Sequence, residues 1–205
     1  MEKINKTISV NIQIFTFLST WAIVLLASGV FAKFSYLSAL ANIPMAISVY
    51  VILRIVFVKW LWRCPLINGW LIKIPDIQGT WRGKLHYEYV DPSTRKISGS
   101  VDMLLVIKQT YSSIKCTMMT KESTSHSIAA SIERGTDDSL YLNYIYHNRP
   151  GTTIRYASPI HDGTAILKII RGRQLLLKGE YWTNRYSKGE ISLTYESRKI
   201  EEIYK

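Results

Sequence analysis

The sequence predicts a membrane-anchored all-β protein: an N-terminal two-helix transmembrane hairpin followed by an eight-stranded antiparallel up-and-down β-barrel. Three observations predict it. Two long apolar runs open the chain. The hydrophobic period then changes to two, and turn residues cut the remainder into short segments. Charge follows the same division. Residues 1–75 hold seven bases and one acid, and the rest hold nineteen bases and fourteen acids, so the net +11 is +6 and +5.

The first run, Ile12 to Ala32, is twenty-one residues without a charge, enough to cross a hydrocarbon core of about 30 Å. It is too long for a signal peptide, and a second run from Ser38 follows almost at once. Helices are expected over about 12–32 and 38–62, forming a hairpin unit over residues 1–64 through a short connection beginning at Lys33. Pro44 is tolerated in a first helical turn. Lys3 and Lys6 precede the first helix, and Arg54, Lys59 and Arg63 crowd the end of the second. The positive-inside rule then places both termini in the cytoplasm of a bacterial inner-membrane protein. Trp60, Trp62 and Trp70 suit the interface beyond the second helix. Ser38, Asn42, Ala46, Tyr50 and Arg54 recur every four residues and so share a helix face. Three readings of that stripe stay open: packing within the hairpin with Arg54 snorkelling to the interface, helix–helix contacts between subunits, or the lining of a membrane lesion.

Pro65, Gly69 and Pro75 punctuate a linker over residues 65–75. Beyond it, residues 76–205 read as a ligand-binding barrel with strands near 79–90, 97–109, 111–121, 124–134, 139–148, 160–170, 173–184 and 187–197. Turn residues separate them, among them Asp91-Pro92-Ser93, Arg149-Pro150-Gly151 and Ser187-Lys188-Gly189. Eight sequential strands with short links suggest a meander, and closure removes its edges. A β-sandwich is the structural alternative.

Alternation assigns the faces. Leu140, Leu142, Tyr144, Tyr146 and Asn148 share one side of the fifth strand, and Leu175, Leu177, Gly179, Tyr181 and Thr183 one side of the seventh. Both series turn from apolar to polar along the strand. Odd strands of a meander run the same way, so the polar ends meet at one mouth, expected to point away from the membrane. The starts of even strands bring Lys96, His126, His161, Thr164 and Lys188 to that mouth. Bases, tyrosines and amides suit a phosphorylated nucleotide: Arg pairs with phosphate, Tyr stacks on a base, and Asn reads a base edge.

Other chemistry is poorly supported. The second part's basic excess is too diluted by acids for a DNA-binding face, so no DNA or RNA polymer is expected. Cys64 and Cys116 form no metal spacing and read as small apolar residues. No nucleophile, zinc-protease, P-loop or dinucleotide motif is present, and neither enzymatic activity nor a cofactor is expected. His161-Asp162 would point to opposite faces of a strand rather than form an acid/base pair. Gly79-Thr80-Trp81 is reminiscent of the lipocalin G-x-W opening. It suggests a Trp plug at the closed end, with Arg198 near enough to stack on it.

Three motifs follow the two apolar runs: Tyr144-x-Tyr146-x-Asn148-x-Pro150, His161-x-Gly163-Thr164, and Gly179-x-Tyr181-x-Thr183-Asn184-Arg185-x-x-x-Gly189-x-Ile191. With the hairpin and barrel, they resemble the two-transmembrane, β-strand-rich effectors of CBASS, the cyclic-oligonucleotide-based anti-phage signalling system. The resemblance covers nearly the whole chain. It implies that a cognate cGAS-like nucleotidyltransferase makes a cyclic dinucleotide, the activating ligand, which the barrel binds. It further implies that the effector then forms a homo-oligomer in the lipid bilayer and disrupts it, giving abortive infection. Carried onto these motifs, Tyr181, Tyr146 or both would stack on a base, and Arg149, Arg185 and Lys188 would pair with phosphates. Asn148, Thr183 and Asn184 would meet base edges, with His161 and Thr164 beside them. A membrane-tethered lipocalin-like carrier of a small apolar ligand is the first competing reading, and a structural membrane protein whose barrel binds another protein is the second.

Overall fold

β-branched and aromatic residues at alternate positions drive the chain beyond Pro75 into eight strands. They are β1 (Gly79–Val90), β2 (Lys96–Gln109), β3 (Ile114–Met119), β4 (Ser123–Arg134), β5 (Leu140–Pro150), β6 (His161–Ile170), β7 (Leu176–Thr183) and β8 (Lys188–Ser197). In this computed structural model each strand pairs antiparallel with the next, and β8 returns to β1, closing the barrel. The structure describes residues 4–29, 36–66, 72, 74–90, 96–153, 155–156 and 158–204. Lys3, the connection at Lys33, Gly69, Trp70 and Asp91-Pro92-Ser93 lie outside the described residues, as do the side chains of Lys6 and Lys96.

Inward residues of all strands build one core, with Trp81, Met103, Leu105, Leu142, Leu167, Leu177 and Leu193 fully or almost fully buried. Trp81 closes one end. Its Nε1–H donates to the Ile77 carbonyl at 3.0 Å, and Tyr195 meets its ring edge-on at 5.2 Å. Gln109, on β2, seals the same end by accepting from the Ile77 amide at 2.8 Å and donating to the Pro75 carbonyl at 2.9 Å. Arg198 pairs with Asp76 at 3.0 Å instead of stacking on Trp81. Full charge pairing with a carboxylate outweighs a cation–π contact, and Tyr195 takes the ring edge.

Alternation fails along β2, where Met103 to Ile107 are buried without interruption. Leu104 and Val106 face outward, and Ile200 and Tyr204 cover them as the C-terminal segment crosses the outer wall. Thr80 Oγ1 fastens that segment by donating to the Lys199 carbonyl at 2.6 Å. β3 is shorter than the period suggested, and it pairs with β4 at three positions only.

The chain divides into two units, residues 1–67 and 68–205. The first holds α1 (Ile4–Ala27), α2 (Tyr36–Ala41), α3 (Ile43–Lys59) and a 3₁₀ turn at Leu61–Arg63. α1 starts and ends earlier than the uncharged run suggested. The expected helix over 38–62 is interrupted at Asn42. Pro44 has no N–H to continue the ladder, and the Asn42 Nδ2 donates to the Ser38 carbonyl at 2.7 Å. Together α2 and α3 supply one apolar stretch, Tyr36–Lys59, of 24 residues, long enough to cross a membrane; the apolar helix in α1, Thr16–Ala27, is shorter. On the repeated face, Ala46 is completely buried and Tyr50 meets Phe17 edge-on at 5.7 Å.

Candidate functional site

Opposite the Trp81 end, the inward side chains no longer fill the barrel and leave a cavity of about 700 Å³, a size that suits a small ligand. Its wall is built in rows that follow the strand register. On the outermost row Ser125, Asn148 and His161 sit side by side on β4, β5 and β6. Ser125 Oγ donates to Asn148 Oδ1 at 2.6 Å. The next row holds Tyr146, Gly163 and Thr183. A third holds Tyr181, Gly189, Tyr87 and Gly99, from β7 through β8 and β1 to β2.

The glycines in these rows explain how tyrosines can line a space without filling it. A Cβ on Gly163 would overlap the Tyr146 phenol, one on Gly99 would overlap the Tyr87 hydroxyl, and one on Gly189 would collide with the His86 carbonyl of β1 and lie 3.0 Å from the Tyr181 ring. Each ring lies across a glycine of the neighbouring strand, an arrangement also used to steady glycines in designed sheets.

Arg185 stands in the turn between β7 and β8 and lines the cavity. The turn is set by Tyr186 at φ 63° and by Thr183, whose Oγ1 lies 2.7 Å from Ser187 Oγ and accepts the Arg185 amide at 3.3 Å. The Arg185 guanidinium donates to Ser158 Oγ at 3.3 Å, while its buried Nε–H has no acceptor. Among the described residues no carboxylate pairs with it. Burial pushes the Tyr181 phenol up to about 12 and Tyr146 further, and the neighbouring Arg185 cation pulls both back. Both are therefore neutral phenols at physiological pH. Burial lowers the His161 pKa, and Arg185 adds to that effect. Its Nδ1–H donates to the Pro159 carbonyl at 2.9 Å.

Six of the ten residues singled out in the sequence line this cavity: Tyr146, Asn148, His161, Tyr181, Thr183 and Arg185. Four do not. Arg149 and Lys188 are exposed on strand positions that alternate with the inward ones. Thr164 takes the outward place between Gly163 and Ala165, opposite Ile145 and Trp182. Asn184 is exposed, and its Oδ1 accepts the Asp162 amide at 3.3 Å. His126 also faces outward, 3.4 Å from Thr117 Oγ1. Among the described residues the expected cluster of bases thus reduces to one guanidinium on the cavity wall, because residues adjacent along a strand cannot share a face. Asp162 points away from His161 and bonds the His147 Nδ1 at 2.6 Å on the outer surface.

The lining also includes Leu85, Tyr87, Tyr89, Val101, Met118 and Glu122. The first three continue the odd-numbered phase that Trp81 starts on β1, so extending the alternation to that strand would have found them. Glu122, Ser158 and Pro159 arrive on connections between strands, where no period exists to reveal them. Among the described residues no group of three His, Cys, Asp or Glu side chains could hold a metal ion.

Comparison with known proteins aligns with this barrel. Residues 72–195 match the family described as Cap15, cyclic dinucleotide receptor domain. A CD-NTase-associated protein 15 from Escherichia albertii is 29% identical over 156 residues, 76% of this chain and 77% of the relative. One of the same name from Staphylococcus schleiferi is 28% identical over 152 residues, 74% of this chain and 77% of the relative.

Proposed function

Because the chain belongs to the Cap15 cyclic dinucleotide receptor family, we propose that it is a CBASS effector whose barrel binds a cyclic dinucleotide made by a cognate nucleotidyltransferase. The observation that carries the reading is Arg185: a guanidinium with a buried, unpartnered Nε–H, among tyrosines and with no carboxylate partner among the described residues. Burying one of a cation's donors without an acceptor is costly, and the Ser158 bond brings no opposite charge, so such a group is expected to meet an anion in the bound state. One phosphate would take the Arg185 fork, and Tyr146 and Tyr181 would offer faces for the bases. The protein acts as a receptor and does no chemistry on the ligand.

Binding changes assembly only if the ligand prefers the assembled state. In this reading occupancy favours a homo-oligomer in the bacterial inner membrane, whose helices breach the bilayer. The apolar helix Tyr36–Lys59 supports membrane association, and α1 would complete a hairpin with it. The Lys and Arg excess before α1 and at the end of α3 favours cytoplasmic termini.

Calorimetry of the full chain in detergent against a panel of cyclic dinucleotides tests the receptor role. At least one member should bind, and Arg185→Ala should weaken it by about 30-fold or more, in line with losing a charged partner. Arg185→Lys should restore only part, because an ammonium has no fork. Failure of the whole panel to bind, or wild-type affinity in Arg185→Ala, would overturn it. A carrier of apolar ligands draws on Leu85, Val101 and Met118 in the wall; displacement of the dinucleotide by a fatty acid would favour that reading instead.

A further inference from the structure

The outermost row of the cavity has a fixed hydrogen-bonding polarity. Ser125 is 1% exposed and does not itself line the cavity. Its hydroxyl donates to Asn148 Oδ1 at 2.6 Å. In the structure that bond engages Oδ1 and leaves the Nδ2 hydrogens as the group to present. His161 is the register neighbour of Asn148. A carbonyl can only accept, so the 2.9 Å contact with the Pro159 oxygen requires the proton on Nδ1. The neutral ring is then left with an acceptor at Nε2. A donor and an acceptor thus stand next to each other on adjacent strands, both on the cavity wall.

We infer that Asn148 and His161 read the edge of one nucleobase, Asn148 donating and His161 accepting, and that Ser125 is the positioning residue that sets this polarity. The inference rests on the cyclic-dinucleotide reading of the cavity and adds the means of selecting the base. The row takes an edge that carries an acceptor beside a donor, such as N7 and the N6 amino group of adenine. It rejects an edge with two acceptors, such as N7 and O6 of guanine. Burial lowers the His161 pKa and, with the Arg185 and His147 charges, outweighs the opposing Pro159 bond and Asp162, which favours the neutral form that accepting requires. Arg185, one turn away, meets a phosphate and so contributes affinity without choosing a base.

The test measures binding of 3′,3′-linked cyclic di-AMP, cyclic di-GMP and cyclic di-UMP to the full chain in detergent. These share a ring and two phosphates and differ only in base. The wild-type chain is expected to rank them over about tenfold or more, the scale of one satisfied against one unsatisfied polar pair. Ser125→Ala frees the amide to turn, so it should compress that ranking to within about threefold and change the tightest affinity less than about fivefold. His161→Phe should weaken the tightest ligand by about tenfold or more, and His161→Gln, which restores an acceptor, should recover most of the loss. Arg185→Ala should weaken every member by a similar factor. An unchanged ranking in Ser125→Ala and His161→Phe, or a uniform loss across the panel in both, would overturn the inference while leaving the receptor role standing. Absence of binding by every member to the wild-type chain would overturn the receptor role itself.

Discussion

The Tyr146 phenol lies directly over Gly163 of the neighbouring strand, in the space that any larger residue's Cβ would take. The ring is thereby part of the wall, and the lumen beside it stays open. Gly163→Ala should push the phenol inward. Overpacking of this kind costs about 1–3 kcal/mol, to be read from urea unfolding. Ligand affinity should fall by about tenfold, the fold-change of 1.4 kcal/mol. Adding Tyr146→Leu should recover part of the stability, since the Trp182 carbonyl still lies 2.9 Å from the added Cβ, but none of the affinity, separating the packing role of the ring from its stacking role.

Trp81 works at the other end. With the ring wholly buried and its N–H bonded to the Ile77 carbonyl, Trp81→Ala should cost about 3–5 kcal/mol. Trp81→Phe keeps the aromatic contact but removes the hydrogen bond, for about 1–3 kcal/mol. Thermal and urea melts would measure both. Ligand affinity of the folded Phe variant should stay at the wild-type value, since the cavity lies at the opposite mouth.

His161 gives stability an acid dependence. Its folded pKa lies below the ordinary 6.5, so the unfolded chain binds the proton first. Stability therefore falls as pH drops below about 6.5 and levels off once pH has passed the folded value. His161→Gln should flatten that slope in unfolding curves taken between pH 7 and pH 5. A slope identical to wild type would remove the assignment.

Cys116 should be chemically silent in the folded protein. It is 2% exposed, and burial pushes its thiol up to about 12, so almost no thiolate is available to attack. Iodoacetamide at pH 8 followed by mass spectrometry should find Cys116 unmodified in the native chain and labelled in urea.

In the N-terminal helical unit, Arg54 and Asn42 share a face with the buried Ala46 and with Tyr50, which packs on Phe17. Asn42, at the break between α2 and α3, already bonds back to the Ser38 carbonyl, whereas Arg54 is exposed. If this face joins subunits, Arg54→Ala should lower ligand-triggered vesicle leakage by about threefold to tenfold, the range one polar interhelical contact supplies. Asn42→Ala should matter less.

Strand number, order and most boundaries were legible because a two-residue period shows wherever one face is buried and the other wet. The reading faltered where that condition lapsed. β2 is covered on both faces at Leu104 and Val106 by the C-terminal segment, a contact between residues nearly a hundred positions apart. The break at Asn42 needed the local bonding pattern around Pro44 as well as hydropathy.

The same division runs through the site. Alternation alone committed Tyr146, Asn148, Tyr181 and Thr183 to the interior, since successive side chains on a strand must oppose one another. It equally committed Arg149, Lys188 and Thr164 to the outside, although the mouth as a region was rich in bases. Only closure of the barrel decided which inward residues became neighbours. Pairing β5 with β6 set Tyr146 over Gly163 and Asn148 beside His161, and the β7–β8 turn brought Arg185 to the phenols. A strand's period determines the face of each residue. Register between strands, which depends on all eight closing at once, determines what that face meets.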